Sequence, residues 1–426
     1  MHTFAIDLSS AAKTAAGAAG DFFTVSKTKT SHAMTIEEFI YKAKRRVRIL
    51  WFARIAQLPF PDYCRHYASY RHMLKCPPKP TAPKKNRTRK KTEKYRRDMN
   101  RAEILALKVL RRLYAKAFVR KAEPYDRGVT DPDMASEMIY RLLASGRPCM
   151  VARYGSTEMS AVINYLAVIA EKHSIWRYIQ GKQFDWWWNK NIMDQMTRWS
   201  GFYPSTAENM TRFGEMMVED SHEVDILGSW LATEQTMKDL FALDFEKVML
   251  RTLEPYWAKD PWTRALEGKR VVVVHPFAPL IEQQYHDRRE RLFSDRRVLP
   301  EFDLRTVQAV QSLGGGSTYH DWFEALEAMK AEMDAADYDI ALIGCGAYGF
   351  PLAAHAKRTG HQAVHLGGAL QLLFGIRGKR WDQPGFGYTP NTPWKGYASL
   401  FNEYWVYPSA ELRPKNADKV EGGCYW

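Results

Sequence analysis

The sequence predicts an α/β protein, a mostly parallel sheet flanked by helices and preceded by a basic helical extension. Three observations predict it. From Asp131 onward, short apolar strands alternate with helical stretches. A glycine-rich hexapeptide, Gly344-Cys345-Gly346-Ala347-Tyr348-Gly349, falls between a strand pattern and a helix pattern. The positive charge is confined to the first third of the chain: residues 1–130 carry 30 Lys and Arg against 10 Asp and Glu, and the rest carry 32 against 38.

The 426 residues are too many for one ordinary core and predict more than one unit. A hydrophobic share of 46% excludes a chain that is disordered throughout. Residues 1–34 are small and polar without a period and read as a disordered tail. Residues 35–130 read as the basic extension. Thr35-Ile36-Glu37-Glu38 forms a capping box, and Phe39, Ile40, Ala43, Val47, Leu50 and Trp51 recur at helical spacing among Lys42, Lys44, Arg45, Arg46 and Arg48. Such a helix suits an anionic membrane surface or docks by its apolar stripe. A tract over 77–97 holds ten Lys and Arg and one acid from Lys79 on, and reads as a linker. Only Tyr95 is aromatic there, which argues against nucleic acid and leaves membrane contact through 35–97 as the sharper reading. A further helix is expected over about 99–121.

Residues 131–410 read as the main domain and 411–426 as a tail. Asp131-Pro132 opens a helix ending near Gly146; Cys149–Arg153 is a strand; a helix runs from about Glu158 to Glu171. A Trp-rich excursion occupies 172–213. Strands follow at Val224–Leu227, Val271–Val274, Tyr338–Ile343 and Ala363–Leu366, with helices from Thr318 to Asp334 and from Pro351 to Arg358. The five cysteines are scattered and form no Cys-x-x-Cys pair, which predicts a reducing, cytoplasmic setting. The basic arm would place the protein at the inner face of the membrane.

Three constellations carry the expected chemistry, each at the carboxyl end of a strand, where open parallel sheets bind ligands. Gly344–Gly349 satisfies G-x-G-x-x-G between strand and helix, the context in which backbone N–H groups approach a diphosphate. This makes the domain Rossmann-like. A nicotinamide reading also wants an acid at the end of the next strand, where His365 and Gly367-Gly368 stand instead. Arg153-Tyr154-Gly155-Ser156-Thr157-Glu158 offers a cation, a glycine, hydroxyls and a carboxylate for a phosphate and a metal; equally, Ser156 or Thr157 caps the next helix. His275, after four valines, is placed to act as a general base or to sit in a structural hydrogen bond, and Asp225 is expected to face the site as a second acid or to cap a loop. The arginines of 282–297 read as a solvated helix face or a diphosphate clamp, and Gly375–Gly387 as a loop over a pocket.

Arg153–Glu158 resembles the Arg-Phe-Gly-Asp-Gly-Glu element of the GT-D-type glycosyltransferases, whose Asp-x-Glu motif serves metal and sugar-nucleotide binding. Ile343–Gly349, Pro351 and His365-Leu366-Gly367 resemble that family's second half, so the likeness covers about residues 130–380. It implies transfer of a sugar from a nucleotide diphosphate, expected to be a uridine diphosphate (UDP) sugar, to a glycan or lipid-linked acceptor of surface polysaccharide type. Together with the strand-end readings above, it leads to an expectation of nucleotide-sugar binding at Arg153, Tyr154, Gly155, Ser156, Gly344, Gly346, Gly349 and His365, with Glu158 and, from their own positions, His275 and Asp225 catalytic. It also implies Mn²⁺ or Mg²⁺ at Glu158. Arg153, Gly155 and Glu158 match the element; Ser156 stands at the Asp position and Thr157 at the following Gly. A neutral hydroxyl binds a hard cation less well than a carboxylate. Two other classes therefore stay open: a nucleotide-fold binding module without catalysis, whose basic arm engages membrane or nucleic acid, and an NAD(P)-dependent oxidoreductase.

Overall fold

The computed structural model describes residues 99–118, 125–312, 318–390, 392, 394–413 and 423–426. The expected tail over 1–34, the basic helix from Thr35 and the 77–97 tract lie outside the described residues. No described helix is long and apolar enough to cross a membrane.

Seven strands form one sheet: β1 Cys149–Ala152, β2 Ile226–Ser229, β3 Glu246–Met249, β4 Arg270–His275, β5 Asp303–Gln308, β6 Ile340–Ile343 and β7 Gln362–His365. Their order is β3-β2-β1-β7-β6-β4-β5, and every pairing is parallel. The expected α/β class is what the chain adopts. Helices of eight residues or more are α1 Arg101–Phe118, α2 Pro132–Ala144, α3 Ser156–Ile169, α4 Lys190–Ser200, α5 Ala207–Asp220, α6 Thr233–Phe241, α7 Ala278–Leu292, α8 Trp322–Ala335 and α9 Gly349–Arg358. The Asp131 carboxylate accepts from the Met134 N–H at 2.8 Å and starts α2 where the Asp-Pro pair predicted.

Alternation along each strand divides the core. Val272 and Val274 join Met150, Ala152, Ala341, Ile343 and Ala363 beneath α3, α5, α6, α8 and α9. Val271 and Val273 join Cys149, Val151, Ile340, Leu342 and Val364 against α2, α7 and the segment after Leu366. Each fully buried valine contributes roughly 1.5–3 kcal/mol, so the four valines of β4 hold it firmly within the sheet. The Trp-rich excursion contains α4 and the first half of α5, and buried Asn164 ties it to α3: its side-chain N–H group donates to the Asp185 and Trp187 carbonyls at 2.8 and 2.9 Å.

This layering positions the crevices. The connection leaving β6 forms α9 on one face, whereas the connection leaving β4 forms α7 on the other. Beside them, β1 leads into α3 on the first face and β7 into Leu370–Phe374 on the second. Where neighbouring connections depart to opposite faces, an open sheet gapes at its carboxyl edge. Arg153, His275, Gly344 and His365 all stand on that edge.

An ion pair with a buried acid ties the far ends of the helices. Arg358 Nη1 donates to Asp220 Oδ1 at 2.6 Å, while Asp220 Oδ2 is buried without a partner. Burial therefore outweighs the cation and pushes the Asp220 pKa up to about 6. A carboxyl whose folded pKa is raised binds its proton more tightly in the folded state. Its contribution to stability is present below about pH 4 and is lost as pH rises through 6. Chemical denaturation should show Asp220→Asn gaining on the parent chain by on the order of 2 kcal/mol between pH 4 and pH 6. A pH-independent difference would mean that Arg358 neutralises the burial cost in full.

Candidate functional site

The carboxyl edge is built around Arg153, the first residue after β1. Its guanidinium lies 5.2 Å from the Trp230 ring centroid, and the Trp230 indole N–H donates to the Tyr154 carbonyl at 2.9 Å. Trp230 follows β2 directly and was not singled out from the sequence, although its place after a strand was the available signal. Gly367 abuts Arg153 from β7: a Cβ added there would lie 3.6 Å from Arg153 Cδ and Nε. Among the described residues no carboxylate comes within ion-pairing distance of this guanidinium, though the Glu158 charge favours its cationic form. Burial, and after it the charge of Arg380, pull the Arg153 pKa below its ordinary value. The result is a half-buried cation whose charge is under-compensated, which favours an incoming anion.

Glu158 lies in the first turn of α3 with its carboxylate folded over Gly155; any side chain at Gly155 would collide with it. Gly155 is the N-cap residue and provides no side-chain cap, so neither hydroxyl caps the helix. Ser156 is exposed at the start of α3. Glu158 and Ser156 are thus on the edge with Arg153.

Tyr154 is a correction. It was expected at the ligand, but its ring is fully buried, stacked 4.7 Å from Phe350, and its hydroxyl donates to Ser221 Oγ at 2.7 Å. The residue next to Arg153 faces the other way along an extended chain and falls into the core. Asp225 is the second correction. It precedes β2 at the amino edge of the sheet, where its carboxylate accepts from the Met150 N–H and from Lys357, both at 2.8 Å. An acid just ahead of a parallel strand lies at the end opposite to the crevice, so Asp225 does not face the site.

His275 ends β4 and is 3% exposed. Its Nδ1 accepts the Phe277 N–H at 3.0 Å, so the neutral ring carries its proton on Nε2. Burial lowers its pKa to about 3. The ring is a hydrogen-bond donor and not the expected general base. His365 ends β7 and is also pulled down to about 3, by burial first and the Arg153 charge second. It stays neutral between Arg153 and α9.

The glycine turn has a different role at each position. Gly349 leaves room for the His365 ring, and Gly344 nestles against His275 and the Gly367 carbonyl. Gly346 alone takes a left-handed φ of +59°. Cys345 beside it is buried, which raises its thiol pKa and keeps it inert. The turn shares an edge with Arg153, but β7 stands between them and His365 fills the interval. Gly344 and Gly349 therefore serve as packing points that draw β4, β6 and β7 together.

Of the arginines of 282–297, Arg289, Arg296 and Arg297 pair with Glu290, Glu301, Asp260 and Asp295, while Arg288 and Arg291 donate to the Tyr404 and Asp287 carbonyls, so the stretch is the solvated face and not a clamp. The Gly-rich C-terminal loop is pinned near β3. Arg251 donates to the Gly387 carbonyl within a box of Trp257, Trp394 and Tyr397. Buried Glu254 accepts from the Tyr397 hydroxyl at 2.8 Å and from the Trp257 indole at 2.7 Å. Among the described residues, no three His, Cys, Asp or Glu side chains converge as a metal site.

These features define an open parallel α/β protein, Rossmann-like in architecture, with an anion-directed arginine at its carboxyl edge. No known protein family and no curated protein matches the sequence. A solved structure titled as a selenomethionine-substituted domain of unknown function 1792 aligns with 72% of this chain and 95% of its own, at 11% identity and a TM-score of 0.29. A likeness that distant carries no functional weight.

Proposed function

We propose that this chain is a glycosyltransferase that moves a sugar from a UDP-sugar to a glycan or lipid-linked acceptor. The observation that carries the reading is Arg153: a cation with no ion-paired carboxylate among the described residues, on the ligand-binding edge of a parallel sheet, in a hexapeptide that resembles the sugar-nucleotide element of GT-D-type enzymes. As the bond between the sugar and the diphosphate breaks, negative charge gathers on the diphosphate oxygen, and Arg153 is placed to stabilise it. The Nε2 proton of His275 would serve as a donor on the same edge. Glu158 is the carboxylate available to take the acceptor hydroxyl's proton.

The donor set does not fit a hard divalent cation. Among the described residues the carboxylates that act on Arg153 are Glu158 and Glu234; Glu234 is taken up by Ser229, Trp230 and Leu231, and Ser156 is a neutral hydroxyl where a second carboxylate would be needed. The charge of the leaving group therefore falls to arginines, and no step is routed through Mn²⁺ or Mg²⁺.

A panel of sugar nucleotides, read by thermal shift on the full chain, tests the proposal. A UDP-sugar should raise the melting temperature by a few degrees, as expected for ligand well above its Kd. Glu158→Ala should abolish transfer while leaving UDP binding within about threefold, since its role is at the acceptor side. Failure of every sugar nucleotide to stabilise the protein would sink the reading. Ser156 at the Asp position favours one alternative, a binding module that holds UDP without turnover; binding without transfer or hydrolysis would select it. Contact of residues 35–97 with the anionic inner face of a membrane remains part of the proposal, read from their charge alone.

A further inference from the structure

We propose that Arg380 and Tyr425 complete an oxyanion site with Arg153, so that two guanidiniums and a phenol hydroxyl together receive the phosphates of the ligand. The inference rests on the diphosphate reading of Arg153 and adds the opposing half of the site.

The pair Gly367-Gly368 is the hinge of the geometry. Arg153 lies against Gly367, and the Tyr425 ring lies against Gly368 so closely that any side chain at Gly368 would strike it. Two consecutive glycines after β7 thus let a cation and a phenol approach the same stretch of backbone. Tyr425 brings Arg380 with it: Arg380 Nη1 donates to the Tyr425 hydroxyl at 3.2 Å, and its guanidinium carbon lies 4.7 Å from the ring centroid. The two arginines are near enough that the Arg380 charge lowers the Arg153 pKa, and the Tyr425 oxygen counts among the groups that raise it. A phenol oxygen bonded to Arg380 and within electrostatic reach of Arg153 stands where an anion's oxygen would be received.

The arrangement is anchored. The Tyr425 carbonyl accepts from buried Gln371 Nε2 at 3.2 Å, and the Cys424 carbonyl accepts from the Arg380 N–H at 3.0 Å. Trp426 is buried, its ring centroid 6.0 Å from that of Phe277. A segment held at so many points is a wall of the site and not a plug to be expelled.

Titration calorimetry of the full chain with UDP and with inorganic pyrophosphate tests this. Arg380→Gln should weaken both ligands at least tenfold, and Tyr425→Phe about threefold, while the exposed control Arg141→Gln changes neither. Should Arg380→Gln not fold, Arg380→Lys decides, with an expected loss of three- to tenfold on pyrophosphate. If the parent binds UDP and the Arg380 variants bind it within twofold, the inference is wrong while the proposed function stands. If pyrophosphate binds in an Arg380-dependent way but no UDP or UDP-sugar does, the oxyanion site stands and the sugar-nucleotide reading fails. If neither UDP nor pyrophosphate binds the parent, the inference is overturned.

Discussion

Arg153→Gln should weaken UDP binding by about 10- to 100-fold, the largest loss expected from any single change at the edge. Hydrogen bonds to a charged group are worth roughly 1.5–3 kcal/mol, and each 1.4 kcal/mol is a factor of ten in Kd. The full range is available because, among the described residues, no carboxylate forms an ion pair with the guanidinium. Arg153→Lys keeps the charge but loses the planar fork and the stacking on Trp230, and should recover only part of the loss. Calorimetry reads the affinity, and circular dichroism shows whether the variants stay folded. A folded Arg153→Gln protein that binds UDP as the parent does would take the diphosphate away from this edge.

Gly349→Ala should destabilise the fold by roughly 3 kcal/mol, at the upper end of what overpacking costs. Gly349 has an ordinary helical φ of −63°, so the backbone accepts alanine without strain. The conflict is steric: the added Cβ would collide with His365 Nε2 and lie 2.6 Å from Cδ2 of a ring that is 2% exposed. Removing the obstacle should relieve it. The double variant Gly349→Ala with His365→Ala should be more stable than the sum of the two single losses by at least about 1 kcal/mol. Strict additivity in urea denaturation would show that the two residues do not touch. Gly346→Ala supplies the contrast: the added Cβ would make only an ordinary contact with the Ser200 carbonyl at 3.5 Å, and the positive φ alone resists, at a cost of about 1 kcal/mol.

The strands buried on both faces were legible from composition. The four valines of β4, the Cys149–Ala152 run and Ile340–Ile343 are near-continuous apolar segments, the mark of a parallel sheet covered on both sides. The two strands that were missed, Glu246–Met249 and Asp303–Gln308, are the sheet's edges. An edge strand has one neighbour and a partly wet flank, so it carries Glu246, Asp303, Arg305 and Gln308 and reads as a loop. In the site, the positions of Arg153, Glu158, His275 and the glycine turn after their strands were legible. Which way each side chain turns was not: Tyr154 and Asp225 carry the same chemistry in the sequence whether they face a ligand or a core. Trp230 carried only its place after a strand as a signal, Arg380 was legible only as part of the Gly375–Gly387 loop, and nothing local distinguishes Tyr425.

By itself, the sequence determined the class of fold and the edge of the sheet on which the polar residues gather, because hydrophobic period and glycine placement act locally along the chain. Tertiary structure alone decided which residues meet there. Strand order set β7 between β1 and β6, so His365 came to fill the space between the two loops, and chain return brought Tyr425 and Arg380 to Gly368, some 57 residues from Tyr425. Contacts between residues so far apart depend on how layers stack, and no local pattern encodes that.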